Sequence, residues 1–186
     1  MKLFHSILFL LFSACFSVFP QDSPERSHAD QLFRSGKYEA AIPVLKECLN
    51  AQPNDLSVQK MLAKSLFNTG NMDSAYILYK EIVVCYSDDY DTYVFLGNYY
   101  YVKANNLAKR TKNPDERRTR SSRHRKEEGR TVREVIFEYY HNASEYLEKA
   151  YNVRSSDEIM KSLIDIYTIT GNKDKVSLYQ KRVKSE

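Results

Sequence analysis

The chain has 186 residues, 42% of them hydrophobic, and a formal net charge of +4. This length allows one domain with a sizeable core, and five Gly and five Pro are too few for long low-complexity linkers. Fifteen Tyr with no Trp argue against disorder, which is poor in aromatic residues, and favour aromatic-rich helices.

The charge is distributed unevenly along the chain. Residues 109–133 hold eleven Lys or Arg against four Asp or Glu, a net +7, which leaves the rest of the chain at −3. We call residues 109–133 the basic block. Its position in the fold decides whether it is a binding site, a linker or a solvated helix face.

The N-terminus has the features of an export signal over residues 1–21. Lys2 supplies a positive start, the run from Ile7 to Phe12 is apolar, and polar residues begin at Gln21. The apolar run is shorter than the ~20 residues of a membrane span; a buried N-terminal helix is the alternative. The sequence therefore predicts an exported protein of a bacterial periplasm or envelope.

Three cysteines have different expectations. The stretch from Phe12 to Cys15 resembles a bacterial lipobox, with Phe12 in a place where Leu, Val or Ile is usual. Lipidation of Cys15 would anchor the chain to a membrane. In the folded body, Cys48 and Cys85 are expected to be small buried apolar residues, although export would also allow a disulfide.

The chain repeats itself at a spacing of 34 residues. Small residues recur with small ones, and large apolar residues recur with large ones, which is the pattern of helices whose axes approach closely. The matched pairs are Gly36 and Gly70, Ala41 and Ala75, Leu45 and Tyr79, Leu62 and Leu96, Ala63 and Gly97, and Leu66 and Tyr100.

This period and these residue types resemble the tetratricopeptide repeat, a helix–turn–helix unit of 34 residues. The run Tyr93, Leu96-Gly97, Tyr100 is similar to the first part of its motif, and Ala41, Leu45, Pro53 to the second. The resemblance implies an all-α solenoid of about four helix pairs, at about 22–55, 56–89, 90–155 and 156–186. An unrelated helical bundle is the alternative.

Local signals mark where the helices start and stop. Ser23-Pro24 and Asn54-Asp55 are typical helix starts, and Gly36, Gly70 and Gly171 are expected in turns that follow helices. Ser155 and Glu158 have the spacing of a capping box.

The 34-residue register places the basic block inside the third unit. Ala143 and Leu147 follow Ala75 and Tyr79 by two periods, so one extra period lies between the two helices of that unit. Helical spacing of apolar residues continues past Ala104 and resumes at Val132, and Asn113-Pro114 is a turn signal. We therefore predict elongated helices that project as an antiparallel hairpin over about 104–137, with the basic block at its tip.

The resemblance also implies a partner-binding groove lined by the first helix of each pair. Carried over by register, its candidate residues are Lys60, Lys64, Phe67, Asn98 and Tyr101, which would hold a peptide or a partner helix; an ordinary solvated face is the alternative. The carboxylate clamp of chaperone-binding members is not expected, because Arg26 is followed by Asp30 and the third unit offers Val94 and Phe95.

The basic block has several competing interpretations. It could bind an acidic protein, touch an anionic membrane surface or other polyanion, or serve only as a solvated charged hairpin. Nucleic acid is disfavoured, because no aromatic residue interleaves the block to stack bases. The candidate basic surface consists of Arg117, Arg118, Arg120, Arg123, Arg125 and Lys126.

No motif in the sequence indicates catalysis. The four histidines form no metal-binding or triad-like pattern, no C-x-x-C is present, and no Gly-rich phosphate loop occurs. We therefore predict a protein that is not an enzyme and needs no cofactor or metal, with a protein or peptide partner that the sequence does not identify.

Overall fold

The structure is a computed structural model that describes residues 23–112 and 131–183. All regular structure in these residues is helical, which confirms the predicted all-α class. The helices are α1 (Pro24–Arg34), α2 (Tyr38–Ala51), α3 (Leu56–Asn68), α4 (Met72–Cys85), α5 (Tyr90–Lys112), α6 (Val132–Val153), α7 (Asp157–Thr170) and α8 (Lys173–Val183). The lipobox residue Cys15, the Asn113-Pro114 turn signal and the candidate basic residues from Arg117 to Lys126 lie outside the described residues.

Side-chain caps fix where several helices begin. Ser23 caps α1 by accepting a hydrogen bond from the Arg26 amide at 3.2 Å, and Asp55 caps α3 by accepting one from the Val58 amide at 3.1 Å. Such caps satisfy amides that have no partner within the helix. Both starts were predicted from the sequence.

The predicted capping box at Ser155 and Glu158 is wrong. The residue that precedes α7 is Ser156, and its side chain makes no capping hydrogen bond. A capping box occurs instead at the start of α6, where Thr131 and Glu134 each accept a hydrogen bond from the other's backbone amide. The first turn of α7 is acidic, which favours a helix N-terminus electrostatically.

Three turns depend on glycine. Gly36, Gly70 and Gly171 have φ angles of 71°, 83° and 80°, a left-handed conformation that costs other residues free energy. Each follows a helix, as predicted, and lies between the two helices of a pair. The turns therefore allow α1, α3 and α7 to be followed closely by α2, α4 and α8.

The chain divides into two compact units at Asn71. The first unit contains α1, α2 and α3, with α2 packed against both of the others. Its core contains the small residues Ala29, Ala41 and Ala63, all fully buried, beside Leu45 and Val58. Small residues at these positions let the helix axes approach, as the repeat pattern predicts.

The second unit contains α4 to α8, and each helix packs against the next one in the chain. Its core is built mainly from α6 and α7, with Leu147, Met160 and Leu163 almost completely buried. Tyr179 from α8 is also buried, and Val176 packs against the same core. The last helix therefore covers the core with one face, as expected of a terminal helix.

Helices α5 and α6 are the longest in the described residues, with 23 and 22 residues. They run antiparallel, since Tyr93 lies near Tyr146 (ring centroids 6.3 Å apart) and Asn105 accepts a hydrogen bond from Tyr140 at 2.7 Å. Gly97 faces Leu147 at their closest approach. The lengths agree with the predicted elongation of the third pair; its predicted tip stays a prediction.

A single carboxylate joins α6, α7 and α8. One oxygen of Glu148 accepts hydrogen bonds from Tyr167 at 2.9 Å, Tyr179 at 3.0 Å and Lys175 at 2.6 Å. Burial alone would raise the pKa of Glu148, but the three hydrogen bonds outweigh it and hold the pKa below its usual value. The ionised form of Glu148 is therefore the one that the fold stabilises.

Candidate partner-binding site

The three groove candidates of the first unit share one face of α3. Lys60, Lys64 and Phe67 follow each other at helical spacing, and the opposite face carries the buried residues Met61 and Leu62. Lys60 is half-buried, Lys64 is exposed, and 43% of the Phe67 side chain is accessible to solvent. The structure thus places all three side chains on the outward side of the helix.

An aromatic residue from α1 extends this face. The Lys64 ammonium lies 5.9 Å from the centroid of the Phe33 ring, within reach of a cation–π interaction. Phe33 in turn packs edge-on against Tyr38, with ring centroids 5.7 Å apart. We call Phe33, Lys60, Lys64 and Phe67 the α3 face.

The sequence interpretation missed Phe33, although a signal for it exists. Phe33 precedes Phe67 by 34 residues, and Phe67 precedes Tyr101 by the same spacing. Phe33 is therefore the first-unit equivalent of two residues already selected as groove candidates. Its nearness to Lys64 joins α1 and α3 in one surface.

The first-unit equivalent of Lys60 has a structural role instead. Arg26 forms an ion pair with Asp55, the residue that also caps α3. The side chains of Arg26 and Asp55 are only 24% and 14% exposed, so this cation is engaged within the unit. This arrangement agrees with the expectation that no carboxylate clamp is present.

A cavity of about 180 Å³ adjoins the Arg26–Asp55 ion pair. Cys48 from α2 lines it, and burial raises the pKa of this thiol. The thiol is therefore held in its protonated, less reactive form. Cys85, by contrast, is exposed, so the expectation that both cysteines are buried is wrong for Cys85, which lies in the last turn of α4.

The two groove candidates of the second unit differ from each other. Asn98 is exposed on α5, whereas Tyr101 is half-buried. The Tyr101 hydroxyl donates a hydrogen bond to Asp165 of α7, and its ring lies 6.2 Å from that of Tyr140. Burial, and then the bond to Asp165, raise the pKa of Tyr101. Tyr101 therefore links two first helices as well as presenting a ring edge.

A second group of aromatic residues joins α4, α5 and α6. Tyr76 stacks on Tyr99 at 4.4 Å, and the hydroxyls of Tyr76 and Tyr100 are hydrogen-bonded at 2.7 Å. Tyr100 stacks on Tyr146 at 6.0 Å. Burial, and then the bond to Tyr76, raise the pKa of Tyr100, so its hydroxyl stays neutral. We call Tyr76, Tyr99, Tyr100 and Tyr146 the tyrosine cluster.

Lysines lie on the tyrosine cluster. The Lys103 ammonium is 4.5 Å from the Tyr99 ring centroid, and Lys80 donates a hydrogen bond to the Tyr146 hydroxyl at 2.9 Å. Lys103 also lies 3.7 Å from a carboxylate oxygen of Asp73. Because the hydroxyls and cations satisfy one another, the cluster has the character of a packed joint between helices.

Two further searches of the structure concern metals and membranes. Within residues 23–112 and 131–183, no three His, Cys, Asp or Glu side chains come together in a way that could hold a metal ion. Among the helices that the structure describes, none combines the length and apolar composition needed to cross a bilayer.

Comparison with known proteins gives one family match. The tetratricopeptide repeat model matches residues 32–92, which includes most of the α3 face. No curated protein matches the chain in sequence. The match agrees with the 34-residue period.

Solved structures give similar folds. A protein from Bacteroides ovatus ATCC 8483, provisionally described as protein-binding, is 22% identical with a TM-score of 0.59, over 98% of this chain and 84% of that one. A thermophilic tetratricopeptide repeat protein of Thermus thermophilus is 18% identical (TM-score 0.40, 85% and 87% covered). MamA is 19% identical (TM-score 0.41, 84% and 92% covered). At these identities the likeness concerns the fold.

Proposed function

The chain is a tetratricopeptide repeat protein, and on that premise we propose that it is a non-enzymatic scaffold that binds a protein partner. The partner segment is an extended peptide or a helix that carries both acidic and apolar side chains. It binds to outward faces of first helices, and the α3 face is the principal one.

One observation supports this proposal above the others. The α3 face presents two cations, Lys60 and Lys64, beside two aromatic rings, Phe33 and Phe67, on neighbouring helices of one compact unit. Lysine ammonium groups bind carboxylates through charge-assisted hydrogen bonds, and exposed aromatic rings are typical anchors of protein interfaces. The pairing of these groups favours an acidic segment with an apolar anchor residue.

The fold comparison supports a protein partner as a class. The Bacteroides ovatus structure, whose fold matches nearly the whole chain, carries a provisional description as a protein-binding protein. Fold alone does not assign a function. The chemistry of the partner is therefore argued from the α3 face, and the comparison contributes only its class.

A peptide-binding experiment tests the α3 face. The full chain is applied to an array of synthetic peptides in which Asp and Glu are combined with Leu or Phe at varied spacing, with Lys-containing arrays of equal hydrophobicity beside it. We expect selection of the acidic peptides. Lys60→Gln combined with Lys64→Gln should weaken the selected peptides about tenfold, since two charge-assisted contacts are lost.

Two controls make the result specific. Lys37→Gln combined with Lys46→Gln removes the same charge from exposed positions of the first unit, and it should leave affinity unchanged. Phe67→Ser should weaken peptides with an apolar anchor more than peptides without one. Equal affinities for the α3-face variant and its charge-matched control would contradict the proposal.

We propose an envelope location on the N-terminal sequence pattern alone. Export would remove the apolar signal, and lipidation of Cys15 would leave the chain anchored to a membrane. The intact mass of the mature protein, purified from the membrane fraction of its native host, tests this point. A mass that includes residues 1–14 would contradict export, and a processed chain without a lipid on Cys15 would contradict the anchor.

A further inference from the structure

The antiparallel α5–α6 pair has a described end at which its sequence becomes strongly basic. The end of α5 and the start of α6 lie together there, because Tyr140 of α6 donates to Asn105 of α5 while Tyr146 lies near Tyr93. We call residues 106–112 and 131–138 the outer end of the pair. The outer end is part of the second compact unit and shares no residue with the α3 face.

Large apolar side chains are exposed at the outer end. Val132, which helical spacing predicts on the packed face, is 47% exposed, and Phe137 is 39% exposed. Val102, one turn before the outer end on α5, is 45% exposed. Ala104 and Tyr140 nearby are buried, so the pair does pack here. The exposed side chains are surplus to that packing.

Cations surround these apolar side chains. The Arg133 guanidinium lies 5.6 Å from the centroid of the Phe137 ring, and Lys109 is exposed on α5. Among the acidic residues, Glu134 is engaged by the capping box, where its carboxylate accepts a hydrogen bond from the Thr131 amide at 2.6 Å; Glu138 is exposed. The block that these residues border carries a net +7.

We propose that the outer end of the α5–α6 pair binds the surface of an anionic phospholipid bilayer. Lys109 and Arg133 contact the lipid phosphates, while Phe137 and Val132 enter the interfacial layer beside them. Cations flanked by aromatic and aliphatic side chains are the composition of interfacial membrane-binding segments. A soluble polyanion would use the cations and leave the aliphatic side chains in water.

The composition separates this ligand from two others. Single-stranded nucleic acid is held by several aromatic rings that stack on successive bases, whereas Phe137 is the one exposed ring among the described residues of the outer end. An acidic protein would need a cleft to anchor an apolar side chain, as the α3 face offers. Val132 and Phe137 instead protrude, which suits a fluid surface that closes around them.

The absence of Trp from the chain permits a local fluorescence test in the full chain. Phe137→Trp places a single fluorophore at the outer end, and Leu178→Trp places one at a comparably exposed position on α8. Both variants are mixed with vesicles of phosphatidylglycerol and phosphatidylethanolamine, and separately with phosphatidylcholine vesicles. We expect a blue shift and quenching by brominated lipid for Phe137→Trp on the anionic vesicles, and no change for Leu178→Trp.

Charge variants quantify the contribution of the cations. Each cation near an anionic surface contributes about fivefold to binding, so Lys109→Ser with Arg133→Ser should weaken partition into anionic vesicles about 25-fold. Lys161→Ser with Lys181→Ser, at exposed positions on α7 and α8, removes equal charge and should have a small effect. High salt should abolish the blue shift of Phe137→Trp.

Several outcomes would overturn the proposal. An unshifted Trp at position 137 on anionic vesicles would do so, as would an equal shift on phosphatidylcholine, which would indicate binding through the apolar residues 7–12. Displacement of the vesicles by single-stranded DNA that quenches Trp at position 137 would assign the outer end to nucleic acid. None of these measurements involves a peptide, so their failure leaves the proposed function of the α3 face unaffected.

Discussion

A Cβ atom added to Gly97 would lie 2.6 Å from Cγ and 2.7 Å from Cδ2 of the buried Leu147 side chain. Real Cβ atoms essentially never approach this closely, and Leu147 is only 1% exposed. The contact therefore sets the distance between α5 and α6. It also explains physically why the repeat pattern has a small residue at this position.

We predict that Gly97→Ala lowers the free energy of unfolding by roughly 1–3 kcal/mol through overpacking, despite the better helix propensity of Ala. Chemical denaturation followed by circular dichroism measures the change. Leu147→Ala alone should also destabilise, by about 2–5 kcal/mol. The two changes together should cost less than the sum of the single changes, and strict additivity would show that the two residues are not coupled.

Glu148 predicts a pH dependence of stability. Because the pKa of Glu148 is lower in the folded state, the unfolded chain binds the proton more readily. Its stabilising contribution is therefore complete above the unfolded pKa of about 4.3, and it is lost as pH falls through the lower folded pKa. Glu148→Gln should lower stability at pH 7 by roughly 1–3 kcal/mol, since hydrogen bonds to a charged group are weakened.

The comparison that tests this is the difference in unfolding free energy between the original chain and Glu148→Gln, measured from pH 7 to pH 3. The difference should shrink as pH falls below about 4.3. Glu145→Gln is a control, because Glu145 is an exposed partner of Lys149 on the same helix and such pairs contribute little. A difference that stays constant with pH would refute the role of the Glu148 charge.

Asp55 combines two interactions that substitution can separate. Asp55→Asn keeps a good N-cap for α3 but removes the charge that pairs with Arg26, whereas Asp55→Ala removes both. We expect Asp55→Ala to cost about 1 kcal/mol more than Asp55→Asn, which is the usual loss for an N-cap. Thermal unfolding of the two variants side by side measures it, and equal losses would mean that the cap contributes nothing.

The capping box at the start of α6 predicts a local effect. Thr131→Ala should lower stability by about 1 kcal/mol and increase hydrogen exchange at the first amides of α6, with little change in α7. Thr131→Ser keeps the hydroxyl and should behave like the original chain. Unchanged exchange at residues 132–135 in Thr131→Ala would indicate that the box does not hold the start of the helix.

Much of the fold was predictable because the 34-residue period records which side chains pack. Ala41, Ala63 and Ala75 were predicted from that period to lie where helices approach, and all three are fully buried. The capping box was assigned to the wrong helix, because the spacing of Ser155 and Glu158 does not determine the backbone conformation that a cap requires. Thr131 and Glu134 have the same spacing and adopt it.

The candidate site was less predictable, because its contacts join residues distant in sequence. The register selected Tyr101 as a groove residue, but its bond to Asp165 spans 64 positions and no local pattern encodes it. The tyrosine cluster depends likewise on the packing of α4, α5 and α6. Phe33 is different, since the period marks it directly as the equivalent of Phe67. The binding roles of these residues stay predictions.

The length of the α5–α6 pair has a consequence for how such a chain can change. Helix α5 has 23 residues where α4 has 14, so it continues for about 14 Å more at 1.5 Å per residue. The contact of Gly97 with Leu147 lies on the part of the pair that follows the repeat register, and insertion of whole helical turns beyond Asn105 in both helices would leave it untouched. Reach is thus a property that natural variation or a protein engineer can adjust in steps of one turn, independently of the repeat that carries it.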